Sequence, residues 1–202
     1  MLIPNHIKGL IFDCDGTLVD TPPLYARAWM DALRPFGAAP ALDWFRPHAG
    51  LSEHLLMDEV DKDFRTTLPR GEVIALLRES VLANLHTLRE ISAVTAIARL
   101  HHGRLKLAVA SSGPAAIVNA TLAATSLSGL FDEIVTIEDV THPKPAPDLF
   151  LEAAARLGLA PAVCLVFEDS PQGLEAAERA GMNAVDINNL FVSQNIDQSG
   201  AP

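Results

Sequence analysis

The sequence predicts an α/β fold: a doubly wound parallel sheet of Rossmann-like type with a helical insert after its first strand. Three observations carry this. Short apolar, β-branched runs alternate with helical patterns from residue 92 onward. Two of those runs, and an earlier one over residues 7–12, stop abruptly in polar residues, at Ser111-Ser112-Gly113, Glu168-Asp169 and Asp13-Cys14-Asp15-Gly16-Thr17. Strand signals are missing between residues 20 and 90, where the apolar spacing is helical. The expected organisation is a discontinuous catalytic core, residues 1–19 and 91–202, carrying a helical cap, residues 20–90.

Ile7-Lys8-Gly9-Leu10-Ile11-Phe12 reads as a buried parallel strand, because it is mostly apolar and partly β-branched. Asp and Gly disfavour strand, so the chain leaves the sheet with Asp13 at the exit. Thr21-Pro22-Pro23 starts a helix with proline in its first turn. Tyr25, Trp29, Leu33 and Phe36 share one face of it, and Pro35 and Gly37 end it. Residues 51–60 read as a second helix and 71–88 as a longer one, with Val73, Leu77, Val81, Leu85 and Leu88 as its stripe.

Helix and strand then alternate: a helix over 93–100, a strand over 105–110, a helix over 114–124 and a strand over 133–137. A helix over 147–157 is closed by Gly158 and followed by a strand over 162–167. Ser170-Pro171 caps and starts a helix that Gly181 closes, and residues 183–187 form the last strand. From Asn188 the composition is polar and fraying is expected.

Composition narrows the function. The chain has 202 residues, 49% of them hydrophobic, which suits a globular protein that buries roughly 70% of its unfolded surface. A net charge of −10 argues against a general nucleic-acid or anionic-membrane surface. It leaves a small anionic substrate open, since a metal reverses the local sign. Cys14 and Cys164 show no C-x-x-C spacing and read as small hydrophobes of a reduced, cytoplasmic chain. Cys14 as a nucleophile has no adjacent base to support it. A basic, apolar leader and a bilayer-length apolar run are both missing from the sequence. The residues do not set the oligomeric state; a monomer is favoured.

Parallel strands run the same way, so Asp13, Asp15, Ser111, Ser112, Glu168 and Asp169 share one rim of the sheet. Lys144 sits in Pro143-Lys144-Pro145-Ala146-Pro147, where prolines stiffen the loop and aim the lysine. Four carboxylates against one lysine leave about −3, and like charges about 4 Å apart repel by roughly 4 kcal/mol per pair at an effective dielectric near 20. Such a cluster holds protons or binds a hard cation. Oxygen ligands with open positions suit Mg2+, which keeps waters and takes a substrate phosphate. Lys144 and the helix N-terminal amides after Ser111 then form an anion site.

These motifs together resemble a known family. Asp13-x-Asp15-Gly-Thr, Ser111 after an apolar strand, Lys144-Pro-Ala-Pro-Asp148 and Phe167-Glu168-Asp169-Ser170 look like the four motifs of the haloacid dehalogenase-like hydrolases, in order. The helical insert, Glu168 to Ala177 and Ala180-Gly181-Met182 resemble the β-phosphoglucomutase-like branch, particularly its bacterial sugar phosphatases of the fructose-1-phosphate or 6-phosphogluconate type. The resemblance implies that Asp13 attacks phosphorus and that Asp15 serves as general acid and base. It also implies Mg2+ on Asp13, the Asp15 backbone carbonyl, Asp169 and Glu168, the last directly or through water. Ser111, with Ser112 beside it, and Lys144 would grip phosphoryl oxygens, while Tyr25 and Gly50 would meet the substrate from the cap. The expected partner is a small phosphorylated metabolite, a sugar phosphate above all.

Rival readings exist. A receiver-type signalling domain also joins an acidic pair, a Ser/Thr and a Lys, but has no second Asp two residues after its nucleophile and no cap of about seventy residues. Carbon–halogen cleavage has no need of the acid/base that Asp15 supplies. A phosphosugar mutase is nearer, although its cap-helix His position holds Tyr25, and the flanking basic positions of its cap loop hold Ala49 and Glu53. Trp29 and Phe36 read as cap core, His48 and His54 as solvated, and His101-His102 as a helix C-terminus. Thr141 and His142 are given no role.

Overall fold

The computed structural model describes residues 3–48 and 50–190. Its twelve principal elements are β1 (Gly9–Phe12), α1 (Pro22–Leu33), α2 (Glu53–Asp63), α3 (Arg70–Ala83), α4 (Ser92–His101), β2 (Lys106–Ala110), α5 (Ala115–Ala124), β3 (Glu133–Val135), α6 (Asp148–Arg156), β4 (Cys164–Glu168), α7 (Pro171–Arg179) and β5 (Asn183–Asp186). The five strands are all parallel, in the order β3-β2-β1-β4-β5. Strand order reverses beside β1, where a doubly wound sheet opens its ligand crevice at the carboxyl ends. The exits of β1 and β4 therefore bring Asp13 together with Glu168 and Asp169.

Side chains alternate across the sheet and divide the core by face. Leu10, Phe12, Leu107, Val109, Leu165 and Phe167 pack with Val94 and Ala98 of α4 and with Val118 and Leu122 of α5. Phe12 and Phe167, paired in register, stack at 4.7 Å between centroids. On the other face Ile11, Ala108, Ala110 and Val166 meet Leu149, Phe150 and Ala153 of α6 and Ala176 and Ala177 of α7. The insert has its own cluster, with Trp29 and Leu33 of α1, Met57 and Val60 of α2, and Val73, Leu77 and Val81 of α3; Ile117 of α5 reaches into it.

Several boundaries differ from the sequence reading. The first strand starts at Gly9 because Ile7 N–H is already turned back to the Pro4 carbonyl. The helix expected over 71–88 breaks at Asn84, whose side chain bonds the Ser80 carbonyl, and a 3-10 turn Leu85–Thr87 follows. The strand expected to reach residue 137 stops at Val135, since Thr136 and Asp139 form a capping box that starts a 3-10 turn. A 3-10 segment Leu42–His48, containing Pro47, had no signal in the apolar spacing. Asn188 is not frayed: its amide donates to the Asp169 and Asp186 side of the sheet rim. Residues 191–202 of the expected tail, and Ala49 of the insert loop, lie outside the described residues.

The insert joins the sheet through two adjacent segments. Asp20 N–H donates to the Arg89 carbonyl and Ile91 N–H to the Leu18 carbonyl, at 2.9 and 2.8 Å. No helix among the described residues is long and apolar enough to cross a membrane.

Candidate active site

Asp13 leaves the central strand with its N–H donating to the Phe167 carbonyl at 3.0 Å, which ties the β1 exit to β4. The chain then folds back sharply. Leu18 and Val19 N–H both donate to the Cys14 carbonyl, and Gly16 takes φ +87, open to glycine at little cost. A Cβ at Gly16 would lie 2.4 Å from Asp169 Oδ2, so the turn also lets the acidic loop approach. Thr17 uses that approach: its hydroxyl donates to Asp169 Oδ1 at 2.9 Å.

Lys144 brings the cation. Its Nζ lies 2.6 Å from Asp13 Oδ1 and 3.6 Å from Glu168 Oε1, and 4.9 Å above the Phe150 ring. Its stem is fully buried. Burial opposes the charge, yet Asp13, Glu168 and Asp169 outweigh it and hold the ammonium firmly protonated. Ser111, at the β2 exit, accepts from Gly113 N–H at 3.0 Å and donates to Asp15 Oδ2 at 3.3 Å.

Glu168 is packed rather than exposed. Its Oε1 accepts from Ser170 at 2.6 Å and its Oε2 from the Asp169 N–H at 3.2 Å. The same Ser170 hydroxyl accepts from Gly173 N–H and so caps α7. A Cβ on Gly173 would sit 1.8 Å from Glu168 Oε1, which is why a glycine occupies that helix.

Oxygens of Asp13, Glu168 and Asp169 lie within 4.8 Å of one another, a spacing that fits one hard cation. The Asp15 side chain is outside this trio and faces Ser111. Burial first, then repulsion from Asp13, raises Asp15 to about 6, against the pull of nearby Thr21 and Ser111 hydroxyls and Lys144. Burial and the Asp13 charge likewise raise both Glu168 and Asp169. The Cys14 thiol is raised well above its usual value by burial, which removes it as a nucleophile.

Above the carboxylates lies a cavity of about 430 Å3. Asp13, Asp15 and Ser112 line its floor, and Tyr25, Gly50 and Glu53 are among its walls. Among the described residues the hydroxyl of Ser112 is buried with no hydrogen-bond partner, and it borders this space. Gly50, at φ +82, brings the insert loop so close to the sheet that a Cβ would meet Ser170 Oγ at 2.5 Å.

The structure thus assembles Asp13, Asp15, Ser111, Lys144, Glu168 and Asp169 at one point, with Tyr25, Gly50 and Ser112 on the adjoining cavity. His48 also lines that cavity, held at 2.7 Å from Nδ1 to the Trp44 carbonyl, whereas His54 does not. Trp29 is core, as its spacing suggested. Sequence reasoning gave no role to Thr17, Asn188 or Arg78. Thr17 could have been found, as it closes the first motif; Arg78 is one polar residue on a helical face, and only folding shows that it meets Glu53.

A parallel α/β sheet with a lysine-bridged carboxylate centre at its switch point defines a Rossmann-like enzyme. The chain belongs to the haloacid dehalogenase-like hydrolase family, whose model matches residues 10–187. Among curated proteins it is 36% identical over 190 residues to the fructose-1-phosphate phosphatase YqaB of Escherichia coli, covering 91% of this chain and 97% of that one. It is 30% identical over 185 residues to the hexitol phosphatase A of the same organism, covering 90% and 83%. Among solved structures, a hydrolase from Pseudomonas syringae superposes with a TM-score of 0.79 at 28% identity, covering 88% of this chain and 83% of the other.

Proposed function

We propose that the chain is a phosphatase of small phosphorylated metabolites, sugar phosphates foremost, working through an aspartyl-phosphate. The observation that carries this is the buried Lys144–Asp13 contact of 2.6 Å at the exit of the central strand, inside a trio of acids. Two relatives named as phosphatases of fructose 1-phosphate and of hexitols support the substrate class.

An Asp13 carboxylate oxygen attacks phosphorus as the ester P–O bond breaks, which splits one hard displacement into two easier ones. Asp15, raised to about 6, is protonated in a useful fraction of molecules near neutrality and gives its proton to the leaving oxygen. The resulting Asp15 carboxylate then takes a proton from water as that water attacks the phosphoryl group, releasing phosphate and restoring Asp13. Lys144, Ser111 and Ser112 hold the phosphoryl oxygens, because this chemistry rests on positioning and charge. Asp13, Asp169 and the Asp15 backbone carbonyl would hold a Mg2+, with Glu168 joining them directly or through water. Such an ion would supply charge neutralisation for the phosphoryl group.

The division into a core of residues 1–19 and 91–202 and a cap of 20–90 belongs to the same reading, with the paired segments 18–20 and 89–91 as the joint. The free, buried thiols of Cys14 and Cys164 support a cytoplasmic location. The test is phosphate release from a panel of phosphorylated metabolites, with kcat/KM for each, before and after chelation and Mg2+ return. Metal-restored turnover of several sugar phosphates is the expected result; no phosphate from any ester would overturn the reading.

A further inference from the structure

The cavity wall presents an oriented hydrogen-bond acceptor, the carboxylate of Glu53. Glu53 is the first residue of α2 and lines the cavity with its side chain only 10% exposed. Arg78 of α3 grips it: Nε donates at 3.0 Å to Oε1 and 3.1 Å to Oε2, and Nη2 donates at 2.6 Å to Oε2. That fork fixes the carboxylate's orientation and commits the guanidinium to it. A carboxylate has about four acceptor sites, so Glu53 still offers lone pairs to a donor arriving from the cavity.

Tyr25 lines the same cavity as Glu53 and Asp15. Burial first, then the Asp15 charge, with Glu53 contributing, suppresses ionisation of its hydroxyl, which remains a neutral hydrogen-bonding group. Arg27 and Arg46 also line the cavity, but both are exposed at its rim, where water and salt screen them. The carboxylate of Glu53, its charge offset by Arg78, meets a bound leaving group as a fixed hydrogen-bond acceptor.

We propose that Glu53, held by Arg78, reads a hydroxyl of the leaving group, so that the substrates are monophosphates of neutral polyols and sugars. Esters that carry a carboxylate or a second phosphate at that position are turned away. An acceptor that expects a donor discriminates strongly, since an analogue lacking the hydroxyl leaves it unpaired. A substrate carboxylate or phosphate in its place is itself acceptor-only, so it gives Glu53 no donor and sets oxygen lone pairs against oxygen lone pairs. This inference rests on the phosphatase reading above.

The test uses a matched pair, glycerol 3-phosphate and 3-phosphoglycerate, which differ by a terminal hydroxyl against a carboxylate, with p-nitrophenyl phosphate alongside. In the wild type kcat/KM should favour glycerol 3-phosphate by roughly tenfold or more. Glu53→Gln should compress that ratio to within about threefold, chiefly by lowering KM for the acid, while Glu53→Asp, which keeps the charge, should retain it. A wild-type ratio near one, or an unchanged ratio in a folded Glu53→Gln protein, overturns the role of Glu53. The wild-type ratio needs no variant, so it judges the proposal even if Glu53→Gln does not fold. If the wild type releases nothing even from p-nitrophenyl phosphate with Mg2+, the phosphatase reading itself falls.

Discussion

Lys144 and Asp13, 131 residues apart in the chain, meet at 2.6 Å between Nζ and Oδ1 with side chains 1% and 7% exposed. The lysine comes from a proline-stiffened loop and the aspartate from the middle strand, so the contact forms only when the sheet has closed. Lys144 is the cation that sits inside the acid trio. Removing one member of a buried pair leaves an uncompensated charge.

Lys144→Ala should therefore abolish turnover and lower stability by about 3–5 kcal/mol in metal-free protein. Thermal unfolding should recover part of that loss as pH falls and the abandoned acids take up protons. A variant as stable as the wild type at pH 8 would contradict the ion-pair account.

Metal-free protein should become less stable as pH rises. Asp15, Glu168 and Asp169 are all raised in the folded state, by burial first and by the Asp13 charge second. Between about pH 4, where such acids titrate in an unfolded chain, and the folded value of about 6 for Asp15 and beyond, the native state holds more protons than the unfolded one. Stability then falls with pH. Mg2+ competes with those protons, so its stabilisation should grow toward pH 8. Differential scanning calorimetry at pH 5, 6.5 and 8, with and without Mg2+, checks this; a Mg2+ effect that shrinks as pH rises would refute it.

Asp15→Asn should slow phosphoryl transfer by about 10²–10⁴-fold from alkyl phosphates, whose leaving oxygen needs a proton. From an activated aryl phosphate the loss in the first step should be smaller. Pre-steady-state release of p-nitrophenol, set beside single-turnover release from a sugar phosphate, separates the two. Equal losses would remove Asp15 from the role of general acid.

Gly173→Ala improves helix propensity by about 1 kcal/mol, yet its Cβ would overlap Glu168 Oε1 at 1.8 Å. The expected result is a lower melting temperature and a weaker Mg2+ dependence of activity, since Glu168 must shift from the acid trio. Unchanged Mg2+ titration would show that Glu168 is not part of the cation site.

The fold was legible because each βα step ends on a polar residue, and polar residues at strand exits mark both the boundary and the rim. Asp13, Asp15, Ser111, Glu168 and Asp169 could be grouped on that ground, and Lys144 joined them through its proline-stiffened loop. What stayed hidden depends on side chains meeting across the chain or on short-range backbone geometry. Arg78 and Glu53 are 25 residues apart on different helices and carry no shared pattern. The 3-10 segment Leu42–His48 has no helical apolar stripe, and Asn188 gains its place through bonds to the Asp169 carbonyl and the Asp186 carboxylate. The break at Asn84 was hidden by Leu85 and Leu88, which continue the apolar stripe past the true end of α3.

The central claim is that Asp13 is the nucleophile, and Asp13→Asn tests it most directly, because the amide is nearly isosteric and cannot attack phosphorus. Steady-state phosphate release should be measured on the best sugar phosphate at saturating Mg2+, with circular dichroism confirming the fold. The account predicts no detectable turnover. Activity above a few per cent of wild type in the folded variant would contradict it.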